Sequence, residues 1–97
     1  MAEVAYSARA LADLARLAEF LVAEAPQAAV AATDTIQDAI EILKRHPEIG
    51  RPCEPDLREL VISFGQHGYV ALYEFDPRSE SVLILSIRHQ REAGFRT

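Results

Sequence analysis

The chain has 97 residues, 49% hydrophobic and 26% charged, which describes one domain, 1–97, with a single modest core and no room for a second. Fifteen acidic against ten basic side chains give a formal charge of −5, which repels polyanions at long range and argues against direct sequence-specific nucleic-acid binding. The lone Cys53 can neither staple the fold nor build a thiolate metal site, the opening MAEVAYSARA lacks a signal-peptide pattern, and no apolar run is long enough to span a bilayer. A cytoplasmic domain without membrane contact is therefore expected.

Fourteen of the 16 alanines precede position 40, while the aromatic and arginine content rises later, so the pattern predicts helices first and strands second. Ala2 to Tyr6 alternates and reads as a short strand, and Ser7 supplies an N-cap hydroxyl for a helix from Ala8 to about Glu24. Leu11, Leu14, Ala18, Leu21 and Val22 are its expected apolar stripe. Ala25-Pro26 ends that helix, and Pro26 suits the first turn of the next, because its missing amide hydrogen has no intrahelical role there. The second helix carries Ala29, Ala32, Ile36, Ile40 and Leu43 on one face and closes on Lys44-Arg45-His46 before Pro47. Pro47 to Asp56 is expected to be an ordered loop.

The period then changes to two. Arg58 to Phe64 reads as a strand, Gly65-Gln66-His67-Gly68 as a turn, Tyr69 to Phe75 as the returning strand, and Ser81 to Ile87 as a central strand covered on much of both faces. The fold class is α+β: an N-terminal strand and an α-helical hairpin packed on a C-terminal three-stranded antiparallel sheet, in the order β-α-α-β-β-β.

No Gly-rich phosphate loop, nucleophile elbow or helically spaced histidine pair is present, so neither a metal nor a cofactor is expected. His46, His67 and His89 are scattered over a helix end, a turn and a strand end. Glu54 beside Cys53 disfavours a thiolate. The polar residues that stand out are Arg58, opening one strand, and Arg88, His89, Gln90, Arg91 and Glu92, closing the last. Together they could stabilise phosphoryl charge and move protons, bind carboxylates, or form structural bridges to Glu59, Glu74 or Glu92. Tyr69 and Tyr73 share a strand face and read as packing residues.

Five fragments in order carry a family resemblance: Tyr6-Ser7-x-x-Ala10-x-x-Asp13-Leu14; His46-Pro47-Glu48-Ile49-Gly50-Arg51-Pro52; Leu57-Arg58-Glu59-Leu60; Gly68-Tyr69-Val70-Ala71-Leu72-Tyr73; and Ile87-Arg88-His89-Gln90-Arg91-Glu92-Ala93-Gly94-Phe95. With them the chain resembles the RelE/ParE family of type II toxin–antitoxin toxins, in its ParE branch. The resemblance implies a growth-inhibiting toxin held in a hetero-oligomer with a cognate, ParD-like antitoxin that wraps the hairpin and sheet, with Leu14, Leu21, Ile36, Ile40 and Tyr73 as expected antitoxin contacts.

The family divides by activity. Its RelE-like members cut messenger RNA on the ribosome with basic sheet residues and a C-terminal aromatic acid or base, whereas ParE-like members poison DNA gyrase. Arg58 and Arg88 fall where the cleaving branch keeps arginines, but Phe95 stands near its tyrosine and has no proton to give, and the only lysine is Lys44. The resemblance thus implies a gyrase inhibitor without nuclease activity, meeting its target through Arg88, His89, Arg91 and Phe95. The alternatives are a ribosome-dependent endonuclease using Arg58, Arg88 and His89, or a chain that only binds its antitoxin. Charge distribution agrees with binding: residues 1–48 hold 8 acidic and 4 basic side chains, and residues 49–97 hold 7 and 6, leaving an arginine cluster on a nearly neutral half.

Overall fold

The computed structural model describes residues 1–91. Strand β1 (Glu3–Tyr6) leads into helices α1 (Ala8–Glu24) and α2 (Pro26–Glu41), a 3-10 turn follows at Ile42–Lys44, and β2 (Arg51–Glu54), β3 (Leu57–Phe64), β4 (His67–Asp76) and β5 (Ser81–His89) complete the chain. The strands form one five-stranded sheet in the order β1-β5-β4-β3-β2. β1 lies parallel to β5, and the other neighbours are antiparallel. The expected α+β order holds with one added strand and a larger sheet. The N-terminal strand joins the C-terminal sheet, and part of the expected loop, Arg51–Glu54, pairs with β3 as an exposed edge. Pro52 and a register shift between Pro52 and Glu54 suit an edge, where a missing ladder donor is tolerated.

Ser7 joins strand to helix. Its hydroxyl oxygen accepts from Ala10 N at 3.0 Å as the α1 N-cap, and the same hydroxyl donates to Leu85 O of β5 at 3.0 Å. The buried stripe of α1 is Ala10, Leu14, Leu17 and Leu21, spaced four, three and four apart. Leu11 and Val22, expected on that stripe, are instead exposed, because the helix sits rotated so that Leu17 points inward. Ala29, Ala32, Ile36, Ile40 and Leu43 are buried as their spacing predicts. Ala29 and Ala32 pack beside Leu21 and Phe64, where small side chains let the helices approach the sheet end closely.

The main core lies between the hairpin and one sheet face, joining Leu14, Leu17, Ile36, Ile40 and Leu43 to Ile62, Tyr69, Ala71, Tyr73, Val82, Ile84 and Ile87. A bulge decides which β5 residues reach it. Tyr73 pairs with Ile84 but Leu72 pairs with Ser86, so Leu85 is the extra residue. The inward parity changes there from Val82 and Ile84 to Ile87 and His89.

β1 stops at Ile84, so the edge of β5 beyond it needs other partners. Helix α1 provides them: Asp13 Oδ2 accepts from Ile87 N at 2.8 Å, and Arg16 Nη2 donates to Ile87 O at 3.4 Å and to Asp13 Oδ1 at 3.4 Å. Asp13→Ala is expected to lower stability by about 1–3 kcal/mol, because it strands the amide of a fully buried residue. Asp13→Asn keeps an acceptor and should cost less. Urea denaturation of the two variants checks this, and equal losses would remove the amide from the explanation.

Candidate functional site

Three elements meet at the end of the sheet where β4 begins and β5 finishes. Helix α1 brings Arg16, Leu17, Phe20 and Leu21, β4 brings His67 and Tyr69, and β5 with the residues after it brings His89 and Arg91. They surround a cleft of about 500 Å³. Leu17, Leu21 and Tyr69 are buried along its floor, and Phe20 stands exposed at its rim. Among the described lining residues there is no carboxylate.

The imidazoles form an ordered chain. Arg91 N–H donates to His89 Nδ1 at 3.1 Å, so in the neutral ring the proton sits on Nε2. That nitrogen lies 3.2 Å from His67 Nδ1 and donates to it. The His67 proton is thereby placed on its own Nε2, turned away from His89. The rings meet edge to face, 5.4 Å apart at 73°, and Tyr69 packs on His89 at 5.3 Å and 87°. Among the described residues no group of three or more metal-ligating side chains occurs.

The arginines expected to act together are far apart. β3 and β5 both run antiparallel to β4, so they run the same way, and the start of one lies at the opposite end of the sheet from the finish of the other. Arg58 lies opposite Tyr73 and His89 opposite Tyr69, four residues along β4, or roughly 13 Å at the usual rise. Arg58 Nη1 donates to Glu48 O at 2.9 Å and Gly50 O at 2.8 Å, bracing the loop before β2. Arg88 pairs with Val70, in alternation with Tyr69, and so belongs to the sheet face away from the helices, with Nη1 3.5 Å from His89 O. Arg58, Arg88 and His89 therefore do not converge. Of the four residues expected to meet a target, His89 and Arg91 share the cleft, Arg88 lies on the other face, and Phe95 is outside the described residues.

The residues expected to contact an antitoxin are also placed differently. Leu14, Leu21, Ile36, Ile40 and Tyr73 are all buried core residues, because the apolar stripes that nominated them are the faces the helices turn to the sheet. The large exposed apolar side chains of the hairpin are Leu11, Phe20, Val22 and Val30.

Sequence reasoning missed His67, Arg16, Leu17 and Phe20. The two-residue spacing of His67 and Tyr69 could have put both on the Tyr73 face, but the pairing with His89 depends on the bulge. Burial pushes the Tyr69 phenol above its ordinary pKa, and Tyr73 is raised by burial too, although its bond from Gly50 N and nearby Arg58 oppose this. Neither is a ready base. The Cys53 thiol is raised by desolvation and by the carboxylates of Glu59 and Glu54, which makes it a poor nucleophile.

Comparison with known proteins agrees across nearly the whole chain. The family model described as "ParE toxin of type II toxin-antitoxin system, parDE" matches residues 4–94. The chain is similar to toxin RelE3 of Caulobacter vibrioides, 41% identical over 92 residues, covering 95% of this chain and 98% of that one. Its fold resembles the chromosomal ParDE toxin–antitoxin system of P. aeruginosa, at a TM-score of 0.76 and 24% identity over 92% of this chain and 96% of the other. It also resembles the intact E. coli RelBE complex, at 0.65 and 14% over 90% and 94%.

Proposed function

Since the chain belongs to the ParE toxin family of type II toxin–antitoxin systems, we propose that it inhibits growth by binding DNA gyrase without cutting nucleic acid, and that a cognate antitoxin neutralises it. The observation that supports binding over cleavage is the separation of Arg58 from Arg88 and His89. Phosphodiester cleavage needs an acid, a base and cations within hydrogen-bond reach of one phosphate. Here one arginine holds a loop at the far end of the sheet and another lies on the opposite face. What remains in one place is an apolar cleft with basic residues and two mutually bonded imidazoles, an arrangement suited to holding a partner.

Gyrase supercoiling by purified components tests this reading. Inhibition is expected at near-stoichiometric toxin, with accumulation of cleaved plasmid and relief on adding antitoxin. Unimpaired supercoiling, with the toxin still able to stop growth, would overturn it.

A second reading is ribosome-dependent RNA cleavage, which the RelE name of the 41% identical relative and the His67–His89 contact favour. Under that reading His89→Ala abolishes message cleavage while Arg58→Ala acts only through stability. Under the gyrase reading induced cells show a DNA-damage response and intact messages.

A further inference from the structure

We infer that Ser7 is a positioning residue: it pins the bulge at Leu85 and so holds β5 in the register that turns His89 into the cleft and Arg88 to the opposite face. The cleft keeps this construction under either reading of the toxin's target.

In a regular strand, successive carbonyls point to opposite edges, so a neighbouring chain meets every second one. Ser7 meets two in a row. Its N–H donates to Ile84 O at 2.9 Å and its hydroxyl to Leu85 O at 3.0 Å. The bulge is what brings both carbonyls to one edge: Tyr73 pairs with Ile84 and Leu72 with Ser86, which leaves Leu85 without an opposite residue on β4. Ser7 stands where β1 has ended, since the parallel ladder runs from Glu3 with Ser81 to Tyr6 with Ile84. Its side-chain oxygen also accepts from Ala10 N at 3.0 Å as the α1 N-cap. One hydroxyl therefore works both ways, donating to the bulge and accepting from the helix.

The competing register has no use for that donor. Carried on from Tyr73 with Ile84 and no bulge, Leu85 falls opposite Leu72 and turns its carbonyl to β4, while Arg88 falls opposite Tyr69. Asp13 does not discriminate, because the residue opposite Ala71 presents its amide to α1 in either register: Ile87 in the observed one, Ser86 in the other. Burial does discriminate, since the slip turns Ile87 outward and Ser86 inward. Among the described contacts, the Ser7 bond to Leu85 O is the polar one that belongs to the bulge alone. Its chemistry is narrow: serine and threonine put an N-cap acceptor and a donor on one atom, aspartate supplies the acceptor alone, and alanine supplies neither.

Hydrogen exchange and cross-strand nuclear Overhauser contacts of the full chain test this. Ser7→Asp keeps the helix cap and loses the donor, so α1 should stay helical by circular dichroism. The amides of Arg88 and Gln90, beyond the bulge, should then exchange at least about tenfold faster relative to those of Val82 and Leu83 before it, whereas a general loss of stability would speed both sides alike. Ser7→Thr should match the unsubstituted chain. Ser86→Val gives both registers a β-branched residue to bury and leaves the choice to Ser7. Tyr69 should keep its contact with His89, whose ring lies 5.3 Å from its own, and adding Ser7→Asp should bring a second set of Tyr69 contacts, to Arg88. Should the combined variant fail to fold, the exchange readout of Ser7→Asp alone decides.

Equal acceleration on both sides of the bulge in Ser7→Asp, or an acceleration in Ser7→Thr as large as in Ser7→Asp, would overturn the assignment. So would Arg88 contacts that are missing from the folded combined variant, or equally strong in Ser86→Val with Ser7 intact, which would leave the register to burial.

Discussion

Ile36→Ala is expected to lower the free energy of unfolding by about 2–5 kcal/mol, against the roughly 5–15 kcal/mol total of a domain this size. Ile36 is fully buried in the core between α2 and the sheet, among residues that include Ile40, Leu43 and Ile62. Truncation removes buried methyl groups and leaves a cavity that close-packed neighbours can fill only in part. Ile36→Val should cost only about 0.5–1.5 kcal/mol, since it deletes a single methylene. Urea denaturation measures both. The result bears on function, because a loss of antitoxin binding by Ile36→Ala in cells would reflect unfolding. Measured per folded molecule at low temperature, its affinity should match that of the unsubstituted chain. A variant of full stability and reduced affinity would place Ile36 on the docking surface and contradict its burial.

Gly50→Ala is expected to cost about 2–6 kcal/mol, combining overpacking with the loss of buried hydrogen bonds. Gly50 is buried, and a Cβ there would come within 2.6 Å of Tyr73 Oη, 2.7 Å of Tyr73 Cε1 and 2.8 Å of Glu59 O. A side chain could move aside, but the Glu59 carbonyl belongs to the β3 ladder. The same place holds a latch: Tyr73 Oη accepts from Gly50 N at 2.9 Å and donates to Pro47 O at 2.8 Å, while Arg58 holds the Glu48 and Gly50 carbonyls. Pushing Tyr73 away would leave buried polar groups without partners. A Tyr73→Phe background removes the atom nearest the new methyl and also the hydrogen bonds it would break. Gly50→Ala should therefore cost clearly less there than in the unsubstituted chain, and thermal melting of the four proteins measures that coupling. Equal costs in both backgrounds would remove Tyr73 from the explanation.

The Gly50 latch explains why the predicted roles of Arg58 and Tyr73 changed while their positions in the strands did not. Strand alternation correctly put Tyr69 and Tyr73 on an inward face, and both are almost fully buried. It could not show that the Tyr73 hydroxyl and the Arg58 guanidinium meet one loop, because Pro47 to Gly50 is more than twenty residues from Tyr73 in sequence. Likewise, the arginine and histidine at strand ends were visible as residue types, but which ends coincide depends on strand direction in the sheet. β3 and β5 flank β4 and run the same way, which separates Arg58 from His89.

The sequence by itself determined the family, the order of elements apart from β2 and the buried face of α2, since these rest on local periodicity, the Ser7 cap, the Pro26 helix start and motifs read along the chain. It did not determine the buried stripe of α1, where Leu17 displaced Leu11 and Val22, because several apolar stripes were available and only packing selects one. Nor did it determine the site. Without the extra residue at Leu85, continuing the register of Tyr73 with Ile84 would set Arg88, not His89, opposite Tyr69. A one-residue shift reverses the face of every side chain beyond it. That long-range pairing, which no local pattern encodes, puts His89 beside His67 and sends Arg88 to the other side of the sheet.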